Sequence, residues 1–187
     1  MPVDFRRPIS RRLVLGAGGL SLLAACAPQR TLTEDGTVDL LTLLRGRPEH
    51  SRYLGAMQVA GLTGRVGRQN GAVTLFVPTN EGFVGLGAEL IRLFDSPPSS
   101  PTADQRAIAA RIVNANAAFG LLRLDDLEAR RGQIVTWDRG QVQITRTGPR
   151  TGTIQRPGGG GAVTIVRGDI LASDGVYHVT NSPVVPA

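Results

Sequence analysis

There is no lysine in these 187 residues; all 21 basic side chains are arginine. Cysteine occurs once, at Cys26, histidine only at His50 and His178, and aromatics make up 4% of the chain. Each scarcity excludes something. One cysteine forms no intramolecular disulfide and no cysteine-based metal site. Two histidines would leave a zinc site built mostly of carboxylates, which zinc disfavours, so neither a metal nor a cofactor is expected. The arginines are scattered singly and few aromatics stand among them. A nucleic-acid binder would show a clustered basic stripe or stacking rings, so nucleic acid is not expected as a partner. The net charge of +6 also says less than it suggests, because guanidinium groups do not titrate in the working range and inflate the isoelectric point.

Long apolar runs are missing too. The longest weakly apolar stretch, Leu13 to Ala25, is short of the roughly 20 residues that cross a bilayer. With Arg6, Arg7, Arg11 and Arg12 ahead of it and glycines at 16, 18 and 19 inside it, it reads as an export signal over residues 1–25. Its end, Leu23-Ala24-Ala25-Cys26, resembles a bacterial lipobox. That resemblance implies cleavage before Cys26, diacylglycerol on its thiol and a fatty acyl group such as palmitate on its new amine. The partner implied is a lipid bilayer. Ser10-Arg11-Arg12 resembles a twin-arginine export motif, with an ordinary Sec signal as the alternative. Ala27 follows the cysteine where inner-membrane lipoproteins commonly carry Asp, so the outer membrane is the expected location, with the inner membrane as the other possibility. Removing residues 1–25 takes away four Arg and Asp4, leaving 17 Arg against 14 acidic groups. A net +3 is too mild to argue for a polyanion.

Residues 26–36 are polar and turn-rich, a tether, and the domain is expected over 37–187. Leu40, Leu41 and Leu44, then Tyr53, Leu54, Met57 and Ala60, stand at helical spacing and predict two helices separated at Arg47-Pro48. The glycines at 61, 64, 67 and 71 read as a cap and a turn, since no strand precedes them as a phosphate-cradling loop requires. "AVTLFV" predicts a strand ended by Pro78, after which Thr79 or Asn80 can cap the next helix. "ADQRAIAARIVNANAAF" (103–119) predicts a helix with Ile108, Ile112 and Phe119 inward. Asp125, Asp126 and Glu128 read as charge at the start of a short helix. From 133 onward short strands follow one another: "QIVTW", "QVQITR", "GTIQR", "AVTIV", "GDILAS" and "VYHVTN". Helices first and strands later imply an α+β domain.

Two segments carry a family resemblance. "VTLFVPTNEGF" (73–83) resembles the first signature of the fasciclin-like, or FAS1, domain, and "GDILASDGVYHVTNSPVVP" (168–186) resembles the second. The signature residues are Pro78, Thr79, Asn80, Asp174, Gly175 and His178. The resemblance implies a compact β-sandwich or wedge core with helices packed around it. It also implies adhesion or extracellular binding, without catalysis, toward an envelope or extracellular protein or polysaccharide. A structural envelope lipoprotein without a specific ligand is the alternative. The Tyr-His pair of many members is replaced here by Ala115-Asn116, so an integrin-type contact is not carried over.

"ILASDGVYHV" also offers the ingredients of a hydrolase: Ser173, Asp174 and His178. A two-residue turn at Asp174-Gly175, with positive φ at both, would set Ser173 opposite Val176 and Leu171 opposite His178. The carboxylate would then lie at the turn tip, beyond the serine, whereas a triad needs it behind the imidazole. No G-x-S-x-G elbow is present. His178 is expected instead to be a structural strand histidine bonded near the Thr79-Asn80 loop.

Overall fold

Helical spacing of the early leucines becomes a packed face. Leu40, Leu43 and Leu44 are buried on α1 (Leu40–Arg45), and Tyr53, Ala56 and Met57 on α2 (Ser51–Val59). Asp39 caps α1 by accepting the Thr42 N–H, and Pro48 opens a single 3₁₀ turn, Pro48–His50, between the two helices. The computed structural model describes residues 33–67, 71–158 and 160–185. Arg11, Arg12 and Cys26 lie outside the described residues. None of the described helices is long and apolar enough to cross a membrane.

After α2 the chain forms β1 (Val73–Pro78), a 3₁₀ segment (Asn80–Leu86), α3 (Ala88–Asp95), α4 (Ala103–Ala115) and β2 (Ala117–Phe119). There follow α5 (Leu124–Ala129), β3 (Gln133–Val135), β4 (Gln141–Gly148), β5 (Thr151–Gln155), β6 (Val163–Ala172) and β7 (Gly175–Thr180). The seven strands make one sheet in the order β2-β1-β7-β6-β5-β4-β3. Only β1 and β7 run parallel; every other pairing is antiparallel. The two ends of the sheet nearly meet, joined by one bridge between Ala118 and Thr136. The chain forms the α+β domain expected from the order of elements and the wedge that the FAS1 resemblance implies.

This curled sheet sorts side chains into two cores. Val73, Leu75 and Val77 of β1, with Tyr177 and Val179 of β7, face α1, α2 and α4. Phe76, on the opposite face of β1, packs inside the curl with Ile144, Ile154, Val163 and Ile165. All six residues of β1 and all six of β7 are therefore buried. Helices α2 and α3 approach so closely that a Cβ on Gly55 would lie 2.0 Å from the Phe94 carbonyl oxygen.

Three expectations from periodicity are corrected. The helix expected to run to Phe119 stops at Ala115, with Asn116 at its end, and residues 117–119 form β2 instead. Ile108 and Phe119 consequently face outward, and only Ile112 of the three points into the core. Finally, "AVTIV" and "GDILAS" form the single strand β6, because register shifts between Ile165 and Ile170 absorb the extra residues rather than breaking the ladder.

Candidate functional site

His178 lies fully buried across from Phe76 in the parallel β1–β7 pair, and the two rings stack at 5.5 Å. Its Nε2–H donates to the Leu122 carbonyl at 3.0 Å, and its Nδ1 accepts the Asp169 N–H at 3.2 Å. Those two bonds fix one neutral tautomer, and burial lowers the pKa, which keeps the ring uncharged. The Asp169 carboxylate accepts the Leu124 N–H. Gly168 lies beside the imidazole; a Cβ there would stand 3.1 Å from Nδ1. The histidine thus ties the bulge of β6 to the segment entering α5.

This placement corrects two readings of the closing hairpin. The turn residues are Ser173 and Asp174, since Ala172 pairs with Gly175 and Leu171 with Val176. Asp174 is buried, and its carboxylate accepts the Leu40 N–H at the start of α1 at 2.8 Å. Neither Asp174 nor Gly175 takes positive φ. Gly175 is a glycine for a different reason: a Cβ would lie 2.1 Å from the Val73 carbonyl oxygen. Ser173 donates its N–H to Val38, while both ring nitrogens of His178 are taken up elsewhere. Ser173, Asp174 and His178 form no triad.

Nor does His178 meet the Thr79-Asn80 loop. The histidine there is His50, whose Nδ1 lies 3.3 Å from the Pro78 carbonyl. The Thr79 side chain caps nothing, although its N–H donates to Thr180. Asn80 reaches backward instead: its Oδ1 accepts the Arg52 N–H at 3.1 Å and its Nδ2 donates to Pro48 at 2.8 Å. Asn116, in the place of the family's Tyr-His pair, is buried with both amide atoms bonded to the Val184 backbone. It clips the C-terminal segment to α4.

A different region has the features of a binding site. Beyond the single Ala118–Thr136 bridge the chain turns from β2 toward β1, where Gly120 donates to Ala72 and Leu122 to the Thr74 hydroxyl. β3 does not follow. The split between them is a groove of about 680 Å³, lined by Arg65, Phe119, Arg130, Val135, Trp137 and Arg139 among others, with no acid among the described residues of its wall. Phe119 is 62% exposed and Val135 57%. Phe119 leans on Trp137 at 5.6 Å, and the Arg65 guanidinium sits 4.5 Å over the indole. Trp137 is itself buried, and its Nε1–H has no acceptor among the described residues.

The turn between β3 and β4 shapes the upper wall. Asp138 accepts from the Thr136 hydroxyl, the Gly140 N–H and, at 2.7 Å, the Arg156 guanidinium. Burial pushes the Asp138 carboxyl up, but those three donors outweigh it and hold the pKa below the ordinary value. Arg139, at the tip, adopts φ 63°. Among the described residues no carboxylate pairs with Arg65, Arg130 or Arg139, whereas Arg47, Arg52, Arg146 and Arg156 are all ion-paired. Sequence reasoning overlooked these residues because it placed Phe119 in a core and read the arginines only as composition. The available signal was "TWDRG": the lone tryptophan beside a turn that exposes an arginine.

The comparisons with known proteins agree with this architecture. The family model described as Fasciclin domain matches residues 48–186. A solved structure of a FAS1 domain pair from the insect cell adhesion molecule fasciclin I superposes with a TM-score of 0.64 at 16% identity. The match covers 81% of this chain and 52% of that one, so the chain spans about half the length of the pair. No curated protein matches. Two signatures in order, a wedge of helices on a curled seven-stranded sheet and a family match across most of the sequence lead to one assignment: the chain belongs to the fasciclin domain family.

Proposed function

We propose that this chain is a non-catalytic binding module, held at a bacterial envelope membrane by acylated Cys26, that grips its partner in the split between β2 and β3. The observation that carries the reading is the groove itself: an exposed ring and three guanidinium groups that, among the described residues, have no carboxylate partner, in a wall whose described residues include no acid. Exposed guanidinium groups and an exposed ring cost little to leave in water and become productive on contact. The similar insect protein is a cell adhesion molecule, and adhesion between envelope or extracellular components suits a tethered module of this kind.

Anchoring rests on the sequence Leu23-Ala24-Ala25-Cys26, and export on Arg11-Arg12. Two or three acyl chains at about 0.8 kcal/mol per buried methylene hold a protein of this size on a bilayer. We place it at the outer membrane. Cys26→Ala should release the protein or leave it unprocessed, and a variant that fractionates with membranes as before breaks the anchoring part of the proposal. Replacing Arg11-Arg12 by a lysine pair should stop export by the twin-arginine route; unchanged processing favours Sec.

The binding face is tested by placing a photoreactive amino acid at Phe119 in the living cell, with Val84, which is also exposed, as the control. Crosslinked adducts from position 119 and none from 84 are expected. Absence of adducts from both positions would support a structural lipoprotein with no specific ligand.

A further inference from the structure

Resting on that reading of the groove, we infer that its occupant is an extended acidic peptide segment, which adds as a short strand to the outer edge of β3. The ladder between β3 and β4 says which backbone groups are free. Thr136 donates to Gly140 and Ile144 to Gly132, and the register pairs Ile134 with Val142. In an antiparallel ladder the hydrogen-bonded pairs alternate with non-bonded ones, so Gln133 and Val135 turn their backbone groups away from β4. The Gln133 N–H is spent on Arg130 at 3.4 Å and the Val135 carbonyl on the bridge to β2, which leaves the Val135 N–H and the Gln133 carbonyl facing the groove. β2 shields only the upper end of this edge, at the Ala118–Thr136 bridge. Natural proteins usually cover a sheet edge; here one N–H and one carbonyl of it stay uncovered beside Phe119 and Val135, enough for a single added bridge.

Charge chooses the side chains of the occupant. Arg65, Arg130 and Arg139 bring three guanidinium groups from three different segments to the same groove, and none has a carboxylate partner among the described residues. Carboxylates on alternate residues of an added strand lie on one face of it, within reach of guanidinium forks that bind them in bidentate fashion. Phe119 and Val135 lie on that same outer face and add apolar contact between the carboxylates. An acidic glycan fits less well. Sugar rings favour open aromatic faces, and with Arg65 over the indole of Trp137 the groove offers them only the Phe119 ring. Recognition by strand addition uses main-chain bonds for affinity and side-chain pockets for selectivity, which matches the two halves of this site.

Trp137 is the chain's one tryptophan and lines the groove, so its fluorescence reports on occupancy. The intact protein in detergent is titrated with a capped octapeptide alternating glutamate and valine. Parallel titrations use the lysine-valine version, a glutamate-valine version N-methylated at alternate backbone nitrogens, and tetragalacturonate. Saturable binding of the first peptide is expected, weakened about tenfold or more by Arg130→Gln combined with Arg139→Gln and by backbone methylation, with no binding of the lysine peptide. Equal affinity for the methylated peptide overturns strand addition. Tetragalacturonate binding where the peptide does not overturns the peptide class, and so does binding of neither. If position 119 still yields crosslinked adducts in cells, the groove stands as the contact face and only this occupant falls; without adducts, both fall together.

Discussion

The surroundings of His178 and the split between β2 and β3 are both rich in polar side chains, yet they are organised in opposite ways. At His178 and along the closing hairpin the signature side chains are partnered inside the protein: the ring bonds Leu122 and Asp169, the Asp169 carboxylate bonds Leu124, and Asp174 bonds Leu40. In the split, guanidinium groups stand unpaired and the indole N–H points at no acceptor among the described residues. A buried polar group without a partner costs about 1–3 kcal/mol, so the first region must be complete for the chain to fold. The guanidinium groups of the second are exposed, so lacking a partner costs them little. The signature motif is therefore the frame, and the less conspicuous turn beside Trp137 belongs to the face proposed to meet other molecules.

The sharpest way to break the frame is Gly175→Val. Its Cβ would fall 2.1 Å from the Val73 carbonyl and 2.8 Å from Leu40 Cδ1, forcing the central strands apart. Urea unfolding followed by Trp137 fluorescence should show a loss of more than about 3 kcal/mol. Retention of wild-type stability would mean that β1 and β7 are not locked at this register.

His178→Ala comes next. It deletes a buried ring stacked on Phe76 and strands the Leu122 carbonyl, for an expected loss of about 2–4 kcal/mol. The same residue sets a pH dependence. Burial lowers the pKa of both His178 and His50 in the folded chain, whereas an unfolded histidine titrates near about 6.5. The unfolded state thus takes up protons first as pH falls. Stability is full above about pH 6.5 and declines below it, toward the lowered folded values. Urea midpoints measured from pH 7.5 down to 5 should fall for the wild type and fall less steeply for His178→Ala; parallel slopes would assign the effect to other groups.

Much of this frame was legible in the sequence, and the reasons it was not wholly so are physical. Pro78 ending a strand, and leucines at helical spacing before it, are local facts that survive folding. The partner of His178 is not local. It depends on β1 lying parallel to β7 and on Leu122 being drawn inward by the Thr74 hydroxyl, which no spacing reveals. Asp174-Gly175 has the composition of a tight turn, but the nearby Val73 backbone sets the demand for glycine. Phe119 was misplaced because Asn116, which ends α4, keeps a helical pattern in sequence while its amide is spent on Val184. The groove was invisible for the same reason: its residues come from four separate segments.

Asn80→Ala tests the comparison more gently. The side chain holds the start of α2 through Arg52 and Pro48, and its removal should cost about 1 kcal/mol, as other helix-start contacts do. Because it shares no partner with His178, the double variant should lose the sum within about 0.5 kcal/mol. A shortfall well beyond that would show the two nodes to be coupled.

The smallest stability effect belongs to the groove. Arg130→Gln and Arg139→Gln, singly or together, should move the unfolding midpoint by under about 0.5 kcal/mol. A large loss would mean these arginines belong to the frame after all.

The parallel pairing of β1 with β7 has a consequence for how the protein is made. Val73 meets Gly175 about a hundred residues later in the chain, and β7 sits between β1 and β6. Contacts so distant in sequence form slowly. While a ribosome is still releasing the chain, β1 has no neighbour on that side and the helices lack Tyr177 and Val179 to close on. The fold therefore completes late and as a whole. An emerging chain of this kind cannot close its sheet until β7 is free, which leaves chaperones a window set by translation.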